Sequence, residues 1–222
     1  SFCSGSFLLA EAGLLDGRVA TTHWALAKAF EARYPNVELR PREVLTEDAG
    51  IICSGAVTTY LNLALRLVEQ FAGEHLAAAT AKMLLIDTNR VSQASYASLT
   101  VQDQERHSDA LVAQAQRWMA KHLQRGFRLS ELAADLAVSE RTLNRRFKQA
   151  IGETPLRHAQ SLRVEVAKRL FETKRINVDA VSARVGYGDV SAFRQLFKRA
   201  TGLSPREYQR RFSRRHGTAR AG

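Results

Sequence analysis

The feature that most constrains this chain is an internal echo in its last third, at an offset of 50 residues. Phe147, Lys148, Ala150, Gly152 and Pro155 return as Phe197, Lys198, Ala200, Gly202 and Pro205. Each copy reads as a short amphipathic helix closed by Gly with Pro just beyond it. Gly accepts the left-handed turn that ends a helix, and Pro cannot continue one. A fold built on such an echo holds two equivalent devices, which suits a ligand with a repeat of its own. Duplex DNA is such a ligand.

Upstream of the first copy, Leu129, Leu132, Ala133 and Leu136 fall at amphipathic helical spacing. Ser139 then reads as an N-cap, its hydroxyl accepting from an otherwise orphaned amide. Helix, tight turn and capped second helix make a helix-turn-helix. In the second helix Leu143, Arg146, Phe147 and Ala150 share one face, and Arg141, Asn144, Arg145 and Lys148 share the other. The second unit repeats the plan with Val178, Val181 and Val185, a Gly186-Tyr187-Gly188 turn, and a helix starting near Asp189 or Ser191. There Phe193, Leu196, Phe197 and Ala200 point inward, while Ser191, Arg194, Gln195 and Lys198 point out. Arg141, Asn144, Arg145, Ser191, Arg194 and Gln195 are expected at base edges, where Arg matches guanine and Asn or Gln matches adenine. Ser139, Lys148, Lys198 and Arg199 are expected at phosphates. One basic helical face is often only a solvated surface; two in register, each after a short helix and a tight turn, favour DNA.

Between the copies, Thr154 caps a helix that Pro155 can open and that extends to Lys174 with Leu156, Ala159, Leu162, Val166, Leu170 and Phe171 inward. At a 1.5 Å rise it measures roughly 30 Å, close to the ~34 Å between successive major-groove faces of B-DNA. One chain can then do what a dimer of single units does.

These residues carry a resemblance. The stretch from about Ser108 to Phe212 resembles the DNA-binding domain of AraC/XylS-type bacterial transcription regulators, through Leu132-Ala133, Ser139 to Leu143, Arg146-Phe147-Lys148, Gly152 and Pro155. The second unit matches through Val185-Gly186-Tyr187, Phe193, Phe197-Lys198, Gly202, Ser204-Pro205 and Tyr208. Ala137 departs from the pattern, standing where many such turns carry Gly, and is expected to mark a less strained turn. The resemblance implies promoter DNA and RNA polymerase as partners, and activation, often of amine or amino-acid catabolism.

Charge is divided to match. Residues 1–105 hold 8 Lys/Arg against 12 Asp/Glu, a balance of −4, and residues 106–222 hold 25 against 10, a balance of +15. A basic half beside an acidic one is the footprint of a polyanion-binding domain tethered to something else. No apolar run suits a membrane, and no signal peptide is expected. Two cysteines, Cys3 and Cys53, argue against a disulfide framework and for the cytoplasm. The six histidines show no metal-ligand spacing, so neither metal nor cofactor is expected.

The first half opens on Ser1-Phe-Cys3-Ser4-Gly5, the pattern of a sharp strand-to-helix elbow. Segments Arg18–His23, Val37–Leu39, Val44–Leu45 and Ile51–Gly55 read as strands and Trp24–Tyr34, Thr58–Phe71 and His75–Leu85 as helices, an alternation that points to an α/β sheet. This part resembles the C-terminal half of the PfpI-like, class I glutamine amidotransferase-like sensor domain, through Cys3-Ser-Gly5, Leu9 to Gly17, Ala20 to Trp24 and Leu61 to Val68. Its opening strands would lie upstream of Ser1, so the chain reads as a fragment or a protein with a miscalled start. Hydrolytic relatives carry His directly after the cysteine, where Ser4 stands here, and no His-x-Glu pair occurs. Cys3 can line a ligand pocket, with His23 as its one candidate neighbour, be a packed relic, or act as a nucleophile; no catalytic residue is assigned. Cys53 reads as core.

The whole is expected to be mixed: a partial α/β domain with PfpI-like, flavodoxin-like layers over 1–95, a linker over 96–107, an all-α DNA-binding domain with two helix-turn-helix units joined by a long helix over 108–212, and a basic tail over 213–222. The leading reading is a DNA-binding transcription regulator, an activator controlled by a small-molecule effector and able to dimerise through its first domain. The alternative is a PfpI-like cysteine hydrolase or amidase with a DNA-targeting appendage.

Overall fold

The computed structural model describes residues 1–88, 92–97, 107–174 and 176–213. The chain divides into two units, Ser1–Ala97 and Ser98–Gly222. The linker and tail expected over 96–107 and 213–222 lie almost wholly outside the described residues.

In the first unit Phe2 bridges Ser54 in parallel. Cys3 N donates to Ser54 O and Ser54 N to Ser1 O, both at 2.9 Å. Cys3 then turns at φ 52°, and α1 (Gly5–Glu11) follows at once. β1 (Val19–Ala20) pairs in parallel with β2 (Glu38–Leu39). Between them a 3-10 turn at Trp24–Leu26 leads into α2 (Ala27–Arg33), which stops short of Pro35 because the residue before a proline is driven from helical geometry. β3 (Leu45–Asp48) and β4 (Ile51–Ser54) pair antiparallel. Ala49 at φ 47° and Gly50 at φ 78° reverse the chain between them, the two-residue turn that suits strand twist. α3 (Tyr60–Ala72) and α4 (Glu74–Met83) complete the unit. Its core joins Ala10, Leu15, Ala20, Phe30, Val37 and Cys53, with Phe7 edge-on to Phe30 at 4.9 Å.

The alternation of strands and helices anticipated one α/β sheet. Among the described residues the strands instead form two two-stranded sheets, β1–β2 and β3–β4. A parallel neighbour needs a long crossover; the tight Ala49-Gly50 turn leaves β3 and β4 only a hairpin.

The second unit is helical. Asp109 caps α5 (Ala110–His122), accepting from Val112 N at 3.1 Å. α6 (Leu129–Asp135) and α7 (Glu140–Ile151) form the first helix-turn-helix. α8 (Pro155–Thr173) follows, then α9 (Val178–Arg184) and α10 (Val190–Thr201), and finally α11 (Pro205–Phe212). Ser139, Thr154, Asn177, Asp189 and Ser204 each accept a backbone amide at a helix start, an arrangement worth about 1 kcal/mol apiece. Gly152 at φ 76° and Gly202 at φ 78° end α7 and α10 in the left-handed conformation.

The echo has two offsets. α7 and α10 are 50 residues apart, whereas α6 and α9 are 49 apart, because the second turn holds the extra residue Gly188. Inside each turn the hydrogen bonds correspond: Ala137 N to Ala134 O and Val138 N to Ala133 O, then Gly186 N to Ala183 O and Tyr187 N to Ser182 O. Ala137 therefore stands where Gly186 stands, and it adopts φ 52° against 79° for the glycine. The expected less strained turn is thus corrected: Ala137 sits in the left-handed region that crowds a Cβ.

Two apolar clusters form the core. Val112, Met119, Leu132, Leu143 and Phe147 belong to the first; Val178, Val181, Val185, Phe193, Phe197 and Tyr208 belong to the second. α8 serves both, giving Ala159 and Leu162 to one and Val164, Ala167 and Phe171 to the other. Full burial of a side chain of this size stabilises by about 1.5–3 kcal/mol. Those contacts, more than intrinsic propensity, hold seven-residue helices such as α6 and α9 in place.

Candidate nucleic-acid interface

α7 is held by Leu143 and Phe147, both fully buried. Helical geometry then turns the positions between them outward. Arg141, Arg145 and Lys148 are exposed and Asn144 is half-buried. Asn144 Nδ2 donates to Glu140 O at 2.9 Å, and Arg145 Nη1 donates to Gln149 Oε1 at 3.2 Å. Ser139 Oγ accepts from Thr142 N at 3.1 Å, so its hydroxyl is engaged as the cap while lying at the helix start. Arg146, on the inward face, reaches across to Asp109, with Nη2 donating to Oδ1 at 2.7 Å.

α10 repeats the arrangement. Phe193, Leu196 and Phe197 are buried, and Ser191, Arg194, Gln195, Lys198 and Arg199 are exposed. Ser191 N donates to Asp189 Oδ1 at 2.8 Å. Arg194 Nη2 lies 3.5 Å from Asp179 Oδ1; both side chains are largely exposed, and such a pair is weak. A groove of about 360 Å³ is lined by Val178, Arg194, Gln195, Lys198, Ser204, Pro205 and Arg206. Arg206 and Asp179 escaped the sequence reading. The echo carries no sign of Arg206, because Leu156 holds the equivalent place in the first copy.

All ten residues expected at DNA thus lie on α7 and α10 or at their starts. What the two helices present is a set of forked donors and amides, able to pair with base edges, with cations nearby for phosphates.

In the first unit Cys3 is half-buried, and its carbonyl accepts from Ser6 Oγ at 3.1 Å and Thr22 Oγ1 at 3.0 Å. His23 Nδ1 accepts from Ala25 N at 3.1 Å, and the ring lies 5.1 Å from that of Trp24, tilted by 33°. Burial pushes the imidazole pKa below its ordinary value. The hydroxyl of Thr22, which the sequence reading placed in the Ala20 to Trp24 stretch without a role, is thus the side chain joined to Cys3 from this segment. Cys53 is buried, with Ser1 Oγ donating to its Sγ at 3.3 Å. Among the described residues no cluster of three His, Cys, Asp or Glu side chains could hold a metal, and no helix is long and apolar enough to cross a membrane.

Residues 132–211 match the family model described as a helix-turn-helix domain. The HTH-type transcriptional regulator CdhR of Pseudomonas aeruginosa is 31% identical over 91% of this chain and 60% of its own. An AraC-like transcription regulator of Streptomyces antibioticus is 33% identical over 46% of this chain and 34% of its own. The solved DNA-binding domain of AdpA, in complex with a target DNA, is 38% identical over 47% of this chain and 94% of its own, with a TM-score of 0.45. The chain spans between about half and two thirds of the length of the first curated relatives it matches. Two capped helix-turn-helix pairs and the sequence matches lead to one conclusion: residues 132–211 form a helix-turn-helix domain of the AraC type.

Proposed function

We propose that α7 and α10 are recognition helices that enter successive major-groove segments of promoter DNA, and that the first unit senses a small-molecule effector. The observation that carries this is the matched exposure of donor-bearing faces on two helices whose opposite faces are anchored by Phe147 and Phe197. α8 supports the spacing: its 19 residues measure about 28 Å at 1.5 Å each, near the separation of neighbouring grooves. Arg141, Asn144, Arg145, Ser191, Arg194 and Gln195 read bases; Ser139, Lys148, Lys198 and Arg199 hold phosphates. The protein activates transcription in the cytoplasm through contact with RNA polymerase and dimerises through its first unit, which has PfpI-like layers.

Cys3 with His23 lines the effector pocket without acting as a nucleophile. The imidazole Nδ1 is already engaged by Ala25 N, and Ser4 occupies the place where hydrolytic relatives carry His. The test is binding of the full chain to DNA enriched from a random duplex pool, followed by a salt titration. Each neutralised phosphate contributes about −0.9 to the log–log slope, so a steep slope together with a defined enriched sequence is expected. A flat response, or no enrichment, defeats the reading. Cys3→Ala should leave DNA affinity unchanged.

A further inference from the structure

Arg163 lies midway along α8 and is only 9% exposed. Its Cζ is 5.5 Å from the centre of the Phe127 ring and 5.2 Å from that of Tyr187. Phe127 packs on the first apolar cluster and Tyr187 on the second. One cation is therefore shared between aromatic rings from the two helix-turn-helix halves. Arg163 Nε is buried without a hydrogen-bond partner. A guanidinium is almost never taken out of water without compensation. Here the ring faces supply attraction, because their quadrupoles favour a cation within about 6 Å.

The backbone closes at the same seam. A Cβ built on Gly186 would stand 2.5 Å from Leu123 O and 2.9 Å from Gly126 N. One built on Gly126 would stand 3.4 Å from Gly186 O. The turn after α5 and the turn between α9 and α10 thus meet main chain to main chain. Close packing alone would be served by any apolar side chain of similar volume. A cation in reach of two rings does more, since the attraction is lost when either ring face turns away.

We propose that Arg163 is a positioning residue that locks the two helix-turn-helix pairs into one mutual arrangement, so that the chain accepts two half-sites at only one separation. The proposal rests on reading α7 and α10 as recognition helices. It predicts that removing the cation, with volume kept, loosens the seam while leaving each half folded.

The experiment compares full-length wild type, Arg163→Met and Arg163→Lys by hydrogen exchange, and by binding to the pool-enriched duplex with and without two extra base pairs between its half-sites. Two base pairs rotate one half-site by about 70° around the DNA axis. Expected in Arg163→Met is about ten-fold faster exchange at Leu123–Phe127 and Gly186–Tyr187, with exchange at Leu143–Phe147 and Phe193–Phe197 unchanged. The estimate reflects the loss of two partly buried cation–ring contacts. Insertion should weaken wild type at least about ten-fold more than it weakens Arg163→Met, and Arg163→Lys should recover the wild-type pattern. Unchanged exchange at the seam, uniformly faster exchange in both cores, or equal sensitivity to insertion overturns the proposal. If wild type enriches no duplex, the DNA reading falls instead, and exchange at the seam still decides whether Arg163 couples the halves.

Discussion

The guanidinium of Arg146 holds both carboxylate oxygens of Asp109, bonding Oδ1 at 2.7 Å and Oδ2 through Nε. The same carboxylate caps α5 through Val112 N, so one side chain ties α5, the first helix of the unit, to α7.

That bond sets a pH dependence. Hydrogen bonding from Arg146, aided by Val112 N, holds the Asp109 pKa down to about 2 from an ordinary 3.8, against the opposing effect of burial. A carboxylate depressed on folding adds stability above its unfolded pKa and loses it as pH falls through the folded value. The stability gap between wild type and Asp109→Asn should stay constant above about pH 5 and close between about pH 4 and about pH 2. Urea unfolding of both proteins across that range checks it; a gap indifferent to pH defeats the assignment.

Two equivalent turn positions should respond in opposite directions. Ala137 adopts φ 52°, where a Cβ costs about 1–2 kcal/mol, so Ala137→Gly should raise stability by about 0.5–1 kcal/mol after the entropy loss of glycine. Gly186→Ala adds strain at φ 79° and drives a Cβ to 2.5 Å from Leu123 O. It should lower stability by about 2 kcal/mol or more. Denaturation midpoints with unchanged slopes would report both effects.

Base and phosphate roles separate on DNA. Arg194→Ala should lose about 1–3 kcal/mol on the preferred duplex and relax preference at one or two base pairs. Lys148→Ala and Lys198→Ala should weaken all sequences alike and each reduce the salt slope by about 0.9. Equal losses of Arg194→Ala on preferred and random duplexes would move Arg194 to the phosphates.

The echo also predicts matched core losses. Phe147→Ala and Phe197→Ala each empty a fully buried site and should lower stability by about 3–5 kcal/mol. A loss below about 1 kcal/mol at either site would contradict its burial.

The sequence by itself determined what depends on local spacing. Leu143 with Phe147, and Phe193 with Phe197, lie one helical turn apart, so which face was anchored and which carried Arg141 or Arg194 followed from periodicity alone. The caps at Ser139 and Thr154 and the stops at Gly152 and Gly202 follow from backbone chemistry that acts within a few residues. Tertiary structure decided whatever joins distant residues or spends conformational strain. Arg146 sat on the anchored face in the sequence, but only folding brings it to Asp109, 37 residues away. Ala137 read as a relaxed turn, and packing of α6 against α7 holds it in the left-handed region. The strands of the first unit were legible as β-formers, but their pairing into two small sheets was not. Pairing is a contact between segments, which a period of two along one strand does not encode. Nothing in the spacing along α8 singles out Arg163, and only the convergence of Phe127 and Tyr187 on that helix makes it a shared cation.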